Sequence, residues 1–166
     1  MISFDIGNEA DQSGTVVQNL RPAETHKTKV FIPVFKFDEV LPKINVKNIS
    51  LIKINVEGAE LEVLYGMEKV LKELKPIKIC EILWAHNNQK LLDCKKRNDS
   101  TIKTLSDSNY LIYQIIKSAD ANLVESFKKI STIENTVYTE ENRELCDYLL
   151  IYSEELQVLE DNFTTI

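Results

Sequence analysis

The sequence predicts a single α/β domain with a mainly parallel, open sheet and helices on both faces of that sheet. Between residues 51 and 84 a strand, an amphipathic helix and a second strand follow one another, and two further apolar strands come later, at 110–116 and 147–152. A strand–helix–strand unit of this length requires parallel pairing with a right-handed crossover. Because no strong helix lies between the last two strands, that pair can be antiparallel.

The composition narrows the range of partners. Hydrophobic residues make up 43% of the chain and charged residues 28%, as in globular proteins. The formal net charge of −6 argues against nucleic-acid binding and against an anionic membrane surface, because both need basic side chains. No apolar run has the roughly 18 residues of a membrane span. The 3 cysteines are widely spaced, which favours a reduced, cytoplasmic protein without a disulfide framework or structural zinc.

The first third of the chain predicts short elements. Residues 2–6 alternate apolar and polar side chains, which indicates a short strand, and residues 8–14 indicate a turn. Residues 30–37 are rich in β-branched and aromatic side chains, and Pro33 places the strand that they predict at an edge. Asp38 is then expected to be the N-cap of a short helix.

The central unit has the clearest periodicity. Residues 51–56 predict a strand, and residues 77–84 predict its parallel neighbour. Between them, residues 59–74 predict one helix that ends before Pro76, because apolar residues recur there at steps of three and four: Leu64, Met67, Leu71 and Leu74. Gly66, inside this helix, is expected to allow close approach to the sheet.

The last third predicts less regular structure. Residues 89–105 indicate a mostly polar helix with a break near 98–100. The polar connection after the 110–116 strand contains a segment, 123–130, that indicates another helix. We treat residues 1–166 as a single domain, with residues 154–166 as a loose tail.

Polar residues follow the ends of the two central strands. Asn55, Glu57 and Gly58 come at the end of the first strand, while Glu81 and His86 lie near the end of the second. Ligands of open α/β sheets bind outside the carboxyl ends of the strands. Because neighbouring parallel strands end at the same rim, we expect these residues to form one ligand-binding cluster.

Two charged residues, Lys53 and Glu81, lie inside apolar strands. An unpaired buried charge is expensive, so each needs a partner, and such groups occur often at functional sites. Structural alternatives stay open: Lys53 can form a buried ion pair or reach water at a sheet edge. Glu57 can be an anion at a helix N-terminus, and His86 can be a surface-loop residue.

The residues around this rim resemble a known family. Residues 51–66, LIKINVEGAELEVLYG, resemble the hallmark K-I-D-V-E-G-A-E of FkbM-type methyltransferases and the L-x-G or Y-G that follows it. Neighbouring segments resemble the family in the same order: VFKFDEVL at 34–41, ICEI at 79–82, NY at 109–110 and DYLL at 147–150. The resemblance covers about residues 30–152, the second half of the family's domain.

This resemblance implies a Rossmann-like methyltransferase that uses S-adenosylmethionine and methylates a hydroxyl of a sugar or another small molecule. Methyl transfer needs an acceptor oxygen in line with the sulfonium methyl group and a base nearby. The catalytic residues that it implies are Lys53, Asn55, Glu57, Glu81 and His86. The cofactor-binding residues that it implies are Asn55, Glu57 and Gly58, with Glu60 in support and no metal.

The chain departs from the family in two ways. The family's aspartate is Asn55 here, and an amide cannot act as a carboxylate base. Family members also have an earlier βαβ half with a D-x-G-x-x-x-G turn for the cofactor, and the 29 residues before Val30 are too few for it. We therefore expect a truncated or degenerate domain that lacks this first cofactor-binding half. The sheet edge left uncovered is expected to mediate self-association.

Two other functions fit the same residues. A non-catalytic α/β module that has lost the cofactor site would serve in assembly or regulation. An unrelated enzyme would use the Glu57–Glu81 pair to hold a divalent metal and act on a phosphate or a glycoside. Titration with S-adenosylmethionine separates the methyltransferase from the module, and metal-dependent thermal stabilisation would indicate the metal enzyme.

Overall fold

The computed structural model describes residues 1–6, 14–17, 28–162 and 165. The turn predicted at 8–14 therefore lies outside the described residues, except for Gly14. Within these residues the chain forms a two-stranded sheet and a five-stranded sheet. No helix in this part of the chain combines the length and the apolar character needed to cross a bilayer.

The strands and helices have the following bounds. The strands are β1 Ile2–Ile6, β2 Thr28–Ile32, β3 Leu51–Ile54, β4 Ile77–Glu81, β5 Tyr110–Lys117, β6 Val124–Ile130 and β7 Asp147–Tyr152. The α-helices are α1 Phe37–Val40, α2 Glu60–Gly66, α3 Glu68–Glu73, α4 Leu91–Asp107 and α5 Leu156–Asn162. Short 3-10 helices occur at Leu41–Lys43, Asn88–Lys90, Arg143–Leu145 and Ser153–Glu155.

The larger sheet has the strand order β3-β4-β7-β5-β6. Its β3–β4 pair is parallel, as predicted for the central strand–helix–strand unit, whereas the β4–β7, β7–β5 and β5–β6 pairs are antiparallel. The prediction of a mainly parallel sheet is therefore wrong. Although α4 carries the chain from β4 to β5 in the same direction, β7 inserts between these two strands with the opposite direction.

Helices cover both faces of this sheet, as predicted. The side chains of α2, α3 and α4 pack on one face, where Leu64, Leu71 and Leu105 join the buried residues Cys80 and Leu150. The other face packs against α5, whose Leu159 is buried with the strand residues Tyr113, Phe127, Leu149 and Ile151. Apolar burial on both faces of the central strands explains their nearly continuous hydrophobic sequences.

Two predictions for the first third of the chain need correction. The strand predicted at 30–37 is β2, which ends at Ile32 and pairs with β1 outside the larger sheet. Pro33 cannot donate to a ladder, so the strand stops before it. Asp38 is not the N-cap of α1, because that position is Lys36. The carboxylate of Asp38 instead accepts bonds from backbone N–H groups at the start of α3.

The helix predicted at 59–74 is two helices, α2 and α3. Met67 has a non-helical backbone conformation (φ −130°, ψ 28°) and separates them. Gly66 ends α2 and does not approach the sheet. A Cβ atom at Gly66 would lie 3.8 Å from Cα of Lys36 and N of Phe37, so the glycine faces the segment that precedes α1.

The predictions for the elements after residue 89 are partly correct. The strands predicted at 110–116 and 147–152 are present as β5 and β7, and the latter has the predicted bounds. Residues 124–130 form strand β6 rather than a helix, because they pair antiparallel with β5 as a hairpin. The helix α4 continues through the predicted break, where Asn98 is buried against the rest of the domain.

Candidate functional site

The turn after β3 has an unusual backbone. Glu57 and Gly58 both have positive φ values, of 53° and 94°. The left-handed conformation costs a non-glycine residue about 1–2 kcal/mol, so other contacts must hold Glu57 in place. One such contact is the hydroxyl of Thr15, which donates to the backbone carbonyl of Glu57 over 2.7 Å. The N–H of Ala59 donates to the carbonyl of Val56 (3.3 Å) and closes the turn.

The peptide groups of Gly58 are held from both sides. Its N–H donates to Oε1 of Glu60 over 2.9 Å, and its carbonyl accepts from Nη2 of Arg97 over 2.7 Å. Arg97 also forms a two-bonded ion pair with Glu62, with N–O distances of 2.9 and 2.6 Å. The N–H and the carbonyl of Gly58 therefore both have hydrogen-bond partners within the chain. Through these bonds Glu60 and Arg97 hold the turn that contains Glu57.

Glu60 is only 5% exposed. Burial raises its pKa to about 7, against the opposing effects of the Gly58 N–H and of Arg97. Glu57 contributes a smaller increase of the pKa, because its negative charge disfavours a second one. Glu60 therefore holds the backbone of the turn through the Gly58 N–H.

A groove of about 630 Å³ lies beside this turn. Strand β3, helix α2, strand β1 and residues 34–37 form its walls, and most of the lining is apolar. Three of the residues proposed from the sequence line this groove: Lys53, Asn55 and Glu57. Its volume lies within the range of small-molecule sites, which are typically ~300–1,000 Å³ and mainly apolar with few polar groups.

A row of charged side chains continues from the groove across the ends of the strands. Glu81 is the last residue of β4 and pairs across the strands with Asp147, the first residue of β7. Lys117, the last residue of β5, lies with its Nζ 2.5 Å from Oδ2 of Asp147 and 2.7 Å from Oε2 of Glu144. These groups are half-buried, with Lys117 21% and Asp147 28% exposed.

The charges in this row act on one another. Burial raises the pKa of Glu81, and the negative charges of Asp147 and Glu57 raise it further. Lys53 and Lys117 act in the opposite direction. The carboxyl ends of β3 and β4 therefore bring Lys53, Glu57 and Glu81 into one electrostatic group.

The sequence-proposed residues differ in exposure and in their position relative to the groove. Lys53 is exposed because β3 is the edge strand of the sheet among the described strands. Gly58 is buried and does not line the groove, and Asn55 is exposed at its rim. His86 lies in an exposed position beyond the end of β4, and in the described part of the chain it forms no ion pair with a carboxylate.

Sequence reasoning missed four residues of this site: Arg97, Lys117, Glu144 and Asp147. Lys117 and Asp147 each flank an apolar strand, so the argument that selected Glu81 would also have selected them. No local pattern pairs Arg97 with Glu62, because these residues are 35 positions apart.

The described residues show which groups the site offers to a ligand. They contain no group of three or more histidine, cysteine or acidic side chains arranged for a metal ion. The glycines among them are Gly14, Gly58 and Gly66, which lie in three separate elements and form no glycine-rich turn. The polar side chains at the groove are the carboxylates of Glu57 and Glu62, the amide of Asn55 and the ammonium group of Lys53.

Comparison with known proteins gives one match. A family model described as the methyltransferase FkbM domain matches residues 3–149 of the 166. The match begins well before residue 30, so it also includes β1 and β2. No curated protein and no solved structure shows significant similarity to the chain.

Proposed function

The chain belongs to the FkbM methyltransferase family, and from this premise we propose that it transfers a methyl group from S-adenosylmethionine to a hydroxyl of a sugar or another small molecule. The observation that supports the proposal most is the groove beside the β3 end, which joins an apolar wall to the carboxylate of Glu57. Glu81 lies within electrostatic reach of the same carboxylate.

The groove fits the charged end of this cofactor. S-adenosylmethionine supplies an activated methyl group on a positively charged sulfur. We propose that Glu57 and Asn55 hold that end, because a carboxylate opposes the positive charge and an amide both donates and accepts hydrogen bonds. Asn55 replaces the acid that the family resemblance implies, so Glu57 is the carboxylate of this chain that lines the groove near the β3 end.

The acceptor hydroxyl must lose its proton during methylation, and we propose that Glu81 takes up this proton. A general base works best when its pKa approaches the working pH, and the pKa of Glu81 is raised by burial and by two neighbouring carboxylates. Lys53 lines the groove and is proposed to bind an oxygen of the acceptor. His86, on the exposed loop after β4, is proposed to contact the far end of the acceptor.

Calorimetric titration with S-adenosylmethionine tests this function. We expect binding heat with the wild-type chain and at least tenfold weaker binding with Glu57→Gln, because the amide removes the charge opposed to the sulfonium. Glu125→Gln is the matched control, since Glu125 is exposed on β6 at the opposite edge of the sheet. An equal loss in both variants, or none in Glu57→Gln, would count against the role of Glu57.

A non-catalytic module is the second candidate, and one observation favours it. Among the described residues no glycine-rich turn is present to hold the methionine part of the cofactor. The same titration separates the two functions. Absence of heat with the wild-type chain at millimolar S-adenosylmethionine would favour a module that retains the sheet for assembly or regulation.

A further inference from the structure

The charged row at the strand ends contains an arrangement that the family assignment does not explain. Glu81 and Asp147 are directly opposite each other on β4 and β7. Residues paired in this way have side chains on the same face of the sheet, with Cβ atoms about 4.5–5.5 Å apart. Two carboxylates at this distance repel each other, and the pair persists only if one of them is neutralised by another group.

Lys117 forms ion pairs with Asp147 and Glu144 rather than with Glu81. Its ammonium group lies 2.5 Å from Asp147 and 2.7 Å from Glu144, so two carboxylates share its charge. Burial disfavours the charge of Lys117, but its hydrogen bonds to Asp147 and Glu144 outweigh this effect and raise its pKa. Within the described residues Glu81 forms no ion pair of its own.

Resting on the proposed function, we propose that Lys117 and Asp147 are positioning residues for Glu81. Lys117 holds the Asp147 carboxylate in place beside Glu81 through its ion pair, and this neighbouring negative charge keeps Glu81 able to accept the proton of the acceptor hydroxyl. In that step the O–H bond of the acceptor breaks and a new O–H bond forms on a carboxylate oxygen of Glu81. The acceptor oxygen keeps the electron pair.

The groups that act on Glu81 come from every neighbouring element. The charge of Glu81 itself raises the pKa of Cys80, Tyr138 and Cys146. The charged groups that act on Glu81 are Lys53 of β3, Glu57 of the turn, Lys117 of β5 and Asp147 at the start of β7. Of these, Asp147 has the largest charge effect on Glu81. Glu144 also forms an ion pair with Lys117. Its negative charge offsets part of the positive charge of Lys117, and this weakens the effect by which Lys117 lowers the pKa of Glu81.

Carboxyl-carbon NMR titration of Glu81, in the chain without cofactor, tests the proposal. In Asp147→Asn we expect the midpoint of Glu81 to fall by about one pH unit, the effect of removing one neighbouring charge. In Lys117→Gln we expect it to rise, because the positive charge of Lys117, which lowers the pKa of Glu81, is then absent. Lys117→Arg should restore the wild-type midpoint, since arginine keeps the ion pair.

A purely structural ion pair gives a different pattern. It would lower the melting temperature of Lys117→Gln and Asp147→Asn and leave the Glu81 midpoint in place, which would overturn the proposal. Asp107→Asn is the control, because it breaks a 2.7 Å ion pair with Lys103 on α4, away from the site. If the wild-type chain binds S-adenosylmethionine but the Glu81 midpoint is the same in the variants, the positioning role alone is refuted. If the midpoint moves in the variants but the wild-type chain does not bind S-adenosylmethionine, the methyltransferase function is refuted.

Discussion

At the scale of single residues, Glu60 connects the stability of the domain to the geometry of the site. Its carboxylate accepts the N–H of Gly58, which follows Glu57 in the turn beside the groove. Burial raises its pKa from 4.5 to about 7. Between these values the folded chain keeps a proton that the unfolded chain has released, so the free energy of unfolding falls as the pH rises from 4.5 to 7.

Glu60→Gln should remove this pH dependence, because glutamine is neutral at every pH and its amide oxygen can still accept from Gly58. One pKa unit corresponds to ~1.4 kcal/mol, so from pH 5 to pH 8 the variant should gain about 2–3 kcal/mol over the wild type. Urea unfolding across this pH range measures the difference. Glu73→Gln, at an exposed position of α3, should run parallel to the wild type. A parallel curve for Glu60→Gln would show that Glu60 titrates normally.

At the scale of elements, Asp38 explains how the chain tolerates a break between α2 and α3. The break at Met67 leaves the N–H groups of Lys69 and Val70 without helical partners. The two oxygens of Asp38 accept them over 3.0 and 3.2 Å. Asp38 thus caps a helix 31 residues away and fastens α1 to the helical layer that covers the sheet.

Asp38→Ala should destabilise the domain by about 1–2 kcal/mol, the usual cost of losing a helix cap. Asp38→Asn should recover most of this loss, since asparagine also caps well. Glu39→Ala is the control, because Glu39 lies on the same helix and is exposed. The measurement is the free energy of unfolding in urea, and equal stability of Asp38→Ala and Glu39→Ala would contradict the capping role.

At the scale of the whole molecule, β3 is an open edge among the described strands. The carbonyl of Ser50 accepts the N–H of Ile77, so the alternation of the ladder turns Ser50, Ile52 and Ile54 toward β4. The N–H and C=O groups of Leu51 then face outward, and its side chain is 56% exposed. An edge of this kind is a template for pairing with another chain, here proposed to be a second copy.

Light scattering over a range of concentrations should therefore detect self-association. Leu51→Pro should reduce it, because proline removes an outward N–H group and takes no hydrogen bond from β4. Leu123→Pro is the control at a distant, 70% exposed apolar residue. A wild-type chain that remains monomeric at high concentration would exclude pairing through β3.

Local sequence patterns predicted many of the strands and helices but few of the pairings and contacts between them. The alternation in residues 51–56 and the apolar runs at 110–116 and 147–152 predicted the strands observed as β3, β5 and β7, because the pattern of apolar side chains along a strand shows which faces are buried. The helix predicted at 123–130 is β6, because pairing with β5 outweighs local preference.

Local sequence also did not show which of the charged residues inside strands are buried. Lys53 and Glu81 stood out in the sequence, yet Lys53 is exposed on the edge strand. Among the described lysines, Lys78 of β4 is fully buried, with its ammonium group 2.9 Å from the carbonyl of Pro76 and 3.4 Å from the centre of the Tyr110 ring. Burial lowers its pKa to about 7. Both lysines alternate with apolar residues, but they lie on different strands and on opposite faces of the sheet, because Lys78 pairs with Ile52 and Lys53 pairs with Ile79.

By itself, the sequence determined the family motif, the central parallel pair and the position of acidic residues just after β3 and β4, because these depend on neighbours along the chain. Only the tertiary structure decided that β7 lies between β4 and β5, and hence that Asp147 faces Glu81 and binds Lys117. The physical reason is that these contacts join residues distant in sequence, whose approach depends on the packing free energy of the whole sheet rather than on local periodicity.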